Sequence, residues 1–332
     1  MGLALSGLIG FGTALVFAYV LYWLDRYEKE PILLLGGVFL WGVVVAAGGA
    51  FIINTTLGVG VYIFTGSEAA TEFTTGTFIA PLVEEILKGL AILGVFLIFR
   101  REFDSVLDGI IYAGVTALGF AATENTYYIY AYGYQESGWG GVFLVSFIRV
   151  VLVGWQHPFY TAFTGIGLAV ARLNRNWAVK IIAPILGLAL AMLTHAFHNT
   201  MADILQGVES LEGLAIGAVF DWSGWLFMLV VIIWAIWRER KSLRQHLWAE
   251  VSAGILPQGH YLTAISAWRQ SIARLAAVFT GKFFKTARFY QLCGELAHKR
   301  EQALKLGDEG GNTAIIQKLR GELASLAPFV QV

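Results

Sequence analysis

Glu84 and Glu85 stand side by side within Thr77–Phe99 (TFIAPLVEEILKGLAILGVFLIF), a stretch apolar and long enough to cross a bilayer. Carboxyls at that depth are costly unless they are paired, protonated or bound to something. Three other apolar segments carry polar intruders of their own: Glu124 with Asn125, His157, and His195 with His198 and Asn199. Buried Glu, His and Lys in several spans point to chemistry or ion movement rather than to an inert anchor.

Spacing refines the set. Glu84 and Lys88 are four residues apart, which places them on one helical face with Glu85 turned away. On this reading Lys88 keeps one carboxylate ionised while the other moves protons, because neighbouring carboxyls drive their acidities apart. His195 and Asn199 are also four apart and can aim into one cavity. Plainer readings stand beside these. Glu84–Lys88 could be a structural ion pair, Asn199 interhelical glue, and His198 a packing residue. Arg149 is expected to snorkel or pair with a carboxyl such as Glu136. Asp108, Asp203 and Asp221 lie near span ends, where charge is cheap. His246, His260 and His298 read as solvated surface.

The elements that must position these groups follow from composition. The chain is 57% hydrophobic and 14% charged, which excludes an ordinary soluble domain and implies an all-α polytopic transmembrane bundle. Apolar runs give seven candidate spans: Leu3–Leu24, Ile32–Ile53, Thr77–Phe99, Leu107–Tyr132, Trp139–Leu173, Val179–Leu205 and Leu214–Trp237. Lys and Arg follow the first, third, fifth and seventh, and are absent from loops 54–76, 133–138 and 206–213. The positive-inside rule then puts the N-terminus outside and the C-terminus in the cytoplasm, in a cytoplasmic (inner) membrane. The fifth segment is too long for one straight crossing, and Gly154 and Pro158 mark it as broken or tilted. The first stretch lacks a basic flank and a cleavage site, so it reads as a retained span. With this topology Glu84, Glu124, His195 and Asn199 all fall about 10–15 Å below the outer surface. His157 fits the same depth.

Residues 1–237 carry 9 Lys+Arg against 16 Asp+Glu, and residues 238–332 carry 14 against 7. The tail is therefore basic and expected to be a helical bundle docked on the anionic leaflet, with membrane lipid as a partner. Ile272, Leu275 and Phe279, and Ile315, Ile316, Leu319, Leu323 and Leu326, follow helical spacing around a turn at Gly307–Asn312. No aromatic-basic motif argues for nucleic acid. The lone Cys293 excludes an internal disulfide and a cysteine zinc site.

Five motifs in order, DRYEKEP (Asp25–Pro31), EEILK (Glu84–Lys88), FAATE (Phe120–Glu124), His157 after Arg149, and HAFHN (His195–Asn199), resemble the PrsW family of intramembrane proteases. That family sits in the larger group holding the type II CAAX prenyl proteases and the bacteriocin-immunity-like membrane proteases. The resemblance covers roughly Asp25 to Asn199 and implies an endopeptidase acting on a membrane-anchored protein. It implies that Glu84 and Glu85 form the catalytic motif, one of them activating water with Lys88 supporting the pair, and that His195 and Asn199 polarise the scissile carbonyl or stabilise the oxyanion. Glu124 stands where the prenyl-protease relatives have the His of FxxxH, so a carboxylate must take that role. There is no HExxH motif. Glu84 or Glu85, Glu124, His157 and His195 could still supply mixed ligands for zinc, and a metal-free carboxylate pair is equally open. The competing reading from another class is a proton- or ion-coupled transporter. The sequence shows neither an internal repeat nor polar groups on both sides of the midplane in its favour.

Overall fold

The computed structural model describes residues 1–206, 211–308 and 311–330, and every regular element among them is helical. Helix α1 is Gly2–Leu24. Helices α2 (Ile32–Trp41) and α3 (Ala47–Thr65) run on through a π-helical turn at Gly42–Ala46. Helix α4 (Glu68–Thr74) joins α5 (Ala80–Ile98) through a second such turn. Then come α6 (Val106–Tyr128), α7 (Gln135–Ser146), α8 (Gln156–Arg172), α9 (Trp177–Gln206) and α10 (Leu211–Ser252). Among the described residues four more helices follow: α11 (Gln258–Ala264), α12 (Ala267–Phe279), α13 (Phe283–Leu306) and α14 (Asn312–Leu326). Loop 206–213 and the turn at 307–312 lie partly outside the described residues.

Helix α6 is the axis of the bundle. Every residue from Val106 to Ala122 is buried, as an all-round apolar helix demands. It can be surrounded because its neighbours meet it at glycines. A Cβ on Gly109 would run into the Gly165 carbonyl of α8, and one on Gly165 into that of Gly109. Gly42 lies equally close to the Thr116 carbonyl, and Gly119 to that of Phe39. Helices α8 and α9 cross in the same way at Gly167 and Gly187. Within a bilayer such close backbone approach, rather than hydrophobic collapse, holds helices together.

Among the described residues five helical stretches are long and apolar enough to cross a membrane: Gly2–Leu24, Ile32–Thr65, Val106–Arg172, Trp177–Ile204 and Ala215–Ser252. The second continues beyond the expected end at Ile53. The third doubles back: Gly109 meets Gly165 while Glu124 meets His157, so α6 and α8 are antiparallel. The reversal uses Gly138, whose φ of +60° suits glycine. The long fifth segment is broken, as its Gly and Pro imply, at residues 153–155 between α7 and α8. Helix α5 is excluded from that apolar group because Glu84, Glu85 and Lys88 interrupt it. Outward-facing side chains such as Leu33 (91% exposed) and Phe64 (93% exposed) are apolar, as a lipid-facing surface requires.

Helix α10 runs unbroken past Trp237 into a second core, formed with α13 and α14 by Leu243, Leu247, Phe289, Leu292, Leu296 and Leu323. Tyr27, from the loop after α1, is buried in that core. Lys29 N donates to Gln291 Oε1 (2.7 Å), and Lys299 Nζ donates to the Arg101 carbonyl (2.8 Å). The tail thus clasps loops 25–31 and 100–104.

Several expectations are corrected here. His298 (6% exposed) and His246 (7%) are buried, and His260 packs on Phe289. Asp108 is buried too, forming a capping box with Ser105 at the start of α6. The stripe Ile272, Leu275, Phe279 faces outward, whereas Leu319 and Leu323 face the core.

Candidate active site

Four helices bring the chemical residues together: α5 gives Glu84, Glu85 and Lys88, α6 gives Glu124, α8 gives His157, and α9 gives His195. Glu85 and Lys88 are fully buried, and Glu84 and His195 nearly so. Lys88 Nζ donates to Glu85 Oε1 at 2.7 Å and lies 3.7 Å from Glu84 Oε2. The tighter pair is therefore the one three residues apart, not the expected Glu84–Lys88. Lys88 also approaches His157 Nδ1 (3.3 Å) and the Phe120 ring (4.2 Å).

Glu85 is fully engaged. Its Oε1 faces Lys88 and His195 Nδ1 (3.1 Å), and its Oε2 accepts from the Thr161 hydroxyl (2.8 Å). Glu84 is not. Asn54 Nδ2 reaches its Oε1 at 3.5 Å, while its buried Oε2 has no hydrogen-bond partner among the described residues. His195 Nε2 lies 3.8 Å from that free oxygen. Glu84, His157 and His195 each offer a donor atom within 4.8 Å of the others. This is the one cluster of the kind inside the bundle among the described residues.

Glu124 Oε2 receives His157 Nε2 (2.8 Å) and the Arg149 guanidinium, whose Nε also donates to Asn125 Oδ1 (2.8 Å). Arg149 therefore pairs with Glu124 rather than with Glu136. The imidazoles of His157 and His195 lie 5.4 Å apart edge to face, and Tyr160 stacks on His195 at 4.7 Å. The buried Tyr160 hydroxyl has no partner among the described residues. Asn199 is held away from the cluster, its amide donating to the Gly76 carbonyl (2.8 Å). His198 is paired with Asp221 (2.7 Å).

A cavity of about 1150 Å³ lies against this cluster, with Arg149, Gln156, Tyr160, His198 and Asp221 among apolar walls from α9 and α10. Tyr160 and Arg149 border both the cavity and the cluster. Sequence reading missed Tyr160, Thr161 and Asn54. Tyr160 and Thr161 were within reach, since they follow His157 by three and four residues and so share its helical face. Asn54 sat in what reads as a loop, one residue past the expected end of its span.

Residues 30–236 match the model of the PrsW family intramembrane metalloprotease. Among curated relatives, Protease PrsW of Oceanobacillus iheyensis is 27% identical over 60% of this chain and 83% of its own length. Protease PrsW of Bacillus subtilis is 25% identical over 68% of this chain and 88% of its own. That of Geobacillus kaustophilus is 34% identical over 38% of this chain and 52% of its own. No solved structure matches. With the matched region holding every member of the buried cluster, the chain belongs to the PrsW family of intramembrane metalloproteases.

Proposed function

We propose that this membrane-embedded protease hydrolyses a peptide bond of a membrane-anchored protein near the outer boundary of the bilayer, with Glu84 as the proton-moving carboxylate. The observation that carries the proposal is the contrast between two neighbours. Glu85 has both oxygens committed to Lys88, His195 and Thr161, while Glu84 keeps a buried oxygen free beside His195. A general base must reach a water, and only an uncommitted oxygen can. The distribution of Lys and Arg among the loops supports the outer position.

The remaining residues take supporting roles. Glu85 accepts from His195 Nδ1 and so presents Nε2 toward Glu84. Lys88 balances the carboxylate pair. Glu124, fixed by Arg149, orients His157 through Nε2. The free Tyr160 hydroxyl is the donor best placed to hold the scissile carbonyl oxygen, a role for which Asn199 is not free. The adjacent cavity would take the substrate segment.

The donors fit the metal implied by the family. Glu84 through its orphaned oxygen, His157 and His195 would form a mixed N/O set of the hydrolytic zinc kind, with a position left for water; Glu84 would then be a ligand, and its role as base belongs to the metal-free alternative. A bound zinc would polarise the carbonyl and lower the pKa of the attacking water. Glu124 is less available, being held by Arg149.

The test is cleavage of a co-expressed membrane-anchored substrate, or of quenched transmembrane peptides by the detergent-purified chain, with Glu84→Gln beside wild type. Loss of cleavage in a variant that still folds is expected. Full activity of Glu84→Gln would overturn the assignment, and proton-coupled uptake into vesicles abolished by the same change would favour transport.

A further inference from the structure

At the tail end of the bundle a second buried polar cluster plays no part in the chemistry above. Glu28, Asp104 and His298 each offer one donor atom, all within 4.8 Å of one another. His298 Nδ1 contacts Glu28 and lies 3.0 Å from Asp104 Oδ1, and its Nε2 lies 3.7 Å from Glu239 Oε1. Glu239 is only 6% exposed, and its Oε2 has no hydrogen-bond partner among the described residues. With Asp104 and His298 it lines a cavity of about 30 Å³, room for a single water or ion. The other acids nearby are already used: Asp25 accepts from Glu30 N (2.8 Å), Glu30 pairs with the Tyr112 hydroxyl, and Asp108 caps α6. Three carboxylates thus face Lys299, which holds Asp104 at 2.8 Å, and one imidazole. These carboxylates outnumber the two nitrogen groups that face them, and a divalent cation would supply the missing positive charge.

We propose that this pocket is a structural divalent-metal site, with Glu28, Asp104 and His298 Nδ1 as ligands and Glu239, on the Nε2 side of the same ring, as the carboxylate that orients it. One imidazole among carboxylates suits a first-row cation such as zinc or manganese better than magnesium. Only Asp104 lies within the matched region 30–236; Glu28 precedes it, and Glu239 and His298 follow it. The metal would therefore clamp this chain's tail to the bundle, and its binding free energy would add to the stability of the docked state.

The experiment uses the full chain in detergent, stripped with chelator and titrated with Zn²⁺ and Mn²⁺ by calorimetry, with bound metal counted by mass spectrometry. A Glu84→Gln/His195→Gln background silences the other candidate site. One equivalent should remain in that background and raise its Tm. Adding the near-isosteric Glu239→Gln and His298→Gln should weaken that equivalent at least tenfold and remove the Tm shift. Glu239→Gln alone, which removes one charge and keeps the shape, should weaken binding if the double change misfolds. Absence of uptake in the background, or uptake indifferent to Glu239→Gln, would overturn the proposal and leave His298 as an imidazolium between carboxylates. None of these readouts requires cleavage.

A different observation points to a lipid contact of the tail. Helix α12 buries Gln270, Ala273 and Ala277 and exposes Trp268 (75%), Ile272 (49%), Leu275 (62%) and Phe279 (84%) along one stripe. Arg240 Nε holds the Ile265 carbonyl just before it (3.1 Å), and Arg274 neighbours Tyr22, Asp25 and Arg26 where α1 ends. The stripe therefore lies level with a span end, and exposed Lys282 and Lys285 follow it. We infer that α12 lies in the anionic headgroup layer with this stripe in the acyl boundary. Spin labels at Leu275→Cys and Phe279→Cys, in a Cys293→Ala chain in anionic nanodiscs, should be more accessible to oxygen than to a water-soluble nickel reagent. The reverse would show that the stripe faces water. Shielding from both would show a protein partner, and either result overturns the inference.

Discussion

The two buried clusters are built from the same side chains and are held in opposite ways. Each sets three carboxylates against histidine and lysine. In the bundle, the groups ride on α5, α6, α8 and α9, whose spacing is fixed by glycine contacts such as Gly109 with Gly165. At the tail, Glu28 comes from a loop, Asp104 from a helix entrance, and Glu239 and His298 from helices that meet only once the tail has docked. The first cluster inherits its geometry from the core of the protein. The second is itself part of what holds two layers together. A rigid frame tolerates an unsatisfied oxygen at Glu84, which the proposed base requires; a joint gains from satisfying every group it has.

The largest effect that would break this contrast is at Glu84. Glu84→Gln should reduce cleavage by about 10²–10⁴ with little change in Tm, because no hydrogen bond to Oε2 is lost. Glu85→Gln should lose activity and stability together, since it takes from buried Lys88 its closer carboxylate at 2.7 Å and leaves only Glu84 at 3.7 Å, at a cost of about 3–5 kcal/mol. Equal effects of the two changes on Tm would erase the distinction. Kinetics and thermal melts on both variants decide it.

Next is the frame itself. Gly165→Ala places a methyl against the Gly109 carbonyl, where backbone rather than a flexible side chain must yield. Separation of α6 from α8 should cost about 1–3 kcal/mol and lower activity by shifting His157 relative to Glu84. An unchanged melt with intact cleavage would mean that these crossings are not what positions the site. A smaller effect is expected at Tyr160→Phe. It keeps the stack on His195 and should lower kcat more than it raises KM if the hydroxyl acts on the transition state; an unaltered kcat would remove it from that role.

Legibility in the sequence divides along the same line. Polar residues inside apolar runs are conspicuous, so Glu84, Glu85, Glu124, His157 and His195 could be gathered from spacing and shared depth. What spacing could not say is which rotamer Lys88 adopts, and hence that it hydrogen-bonds Glu85 and stands farther from Glu84. Nor could it tell that Asn199 reaches the Gly76 carbonyl or that Arg149 finds Glu124, since both partners lie on other helices. Charges in loops and tails carry no such signal. His298, Asp104 and Glu28 look solvated until tertiary docking buries them, and a stripe such as Ile272, Leu275, Phe279 fixes a face without saying what the face meets.

The finest test is at the joint between the layers. Cys293 is fully buried in α13, and burial alone pushes its thiol up, so alkylation must wait for the tail to open. Its neighbour Gly294 lies under the Tyr27 carbonyl, where a Cβ would stand 2.6 Å from the oxygen. Gly294→Ala should therefore lift α13 from loop 25–31 at a cost of about 1–2 kcal/mol, and Cys293 alkylation should accelerate about 5- to 30-fold. Cleavage measured on the same sample then separates two designs. If it holds while alkylation accelerates, the joint is only a fastening. If it falls in step, the path from Glu28 through loop 25–31 into α2, and from there to α6, carries the state of the tail to the active site.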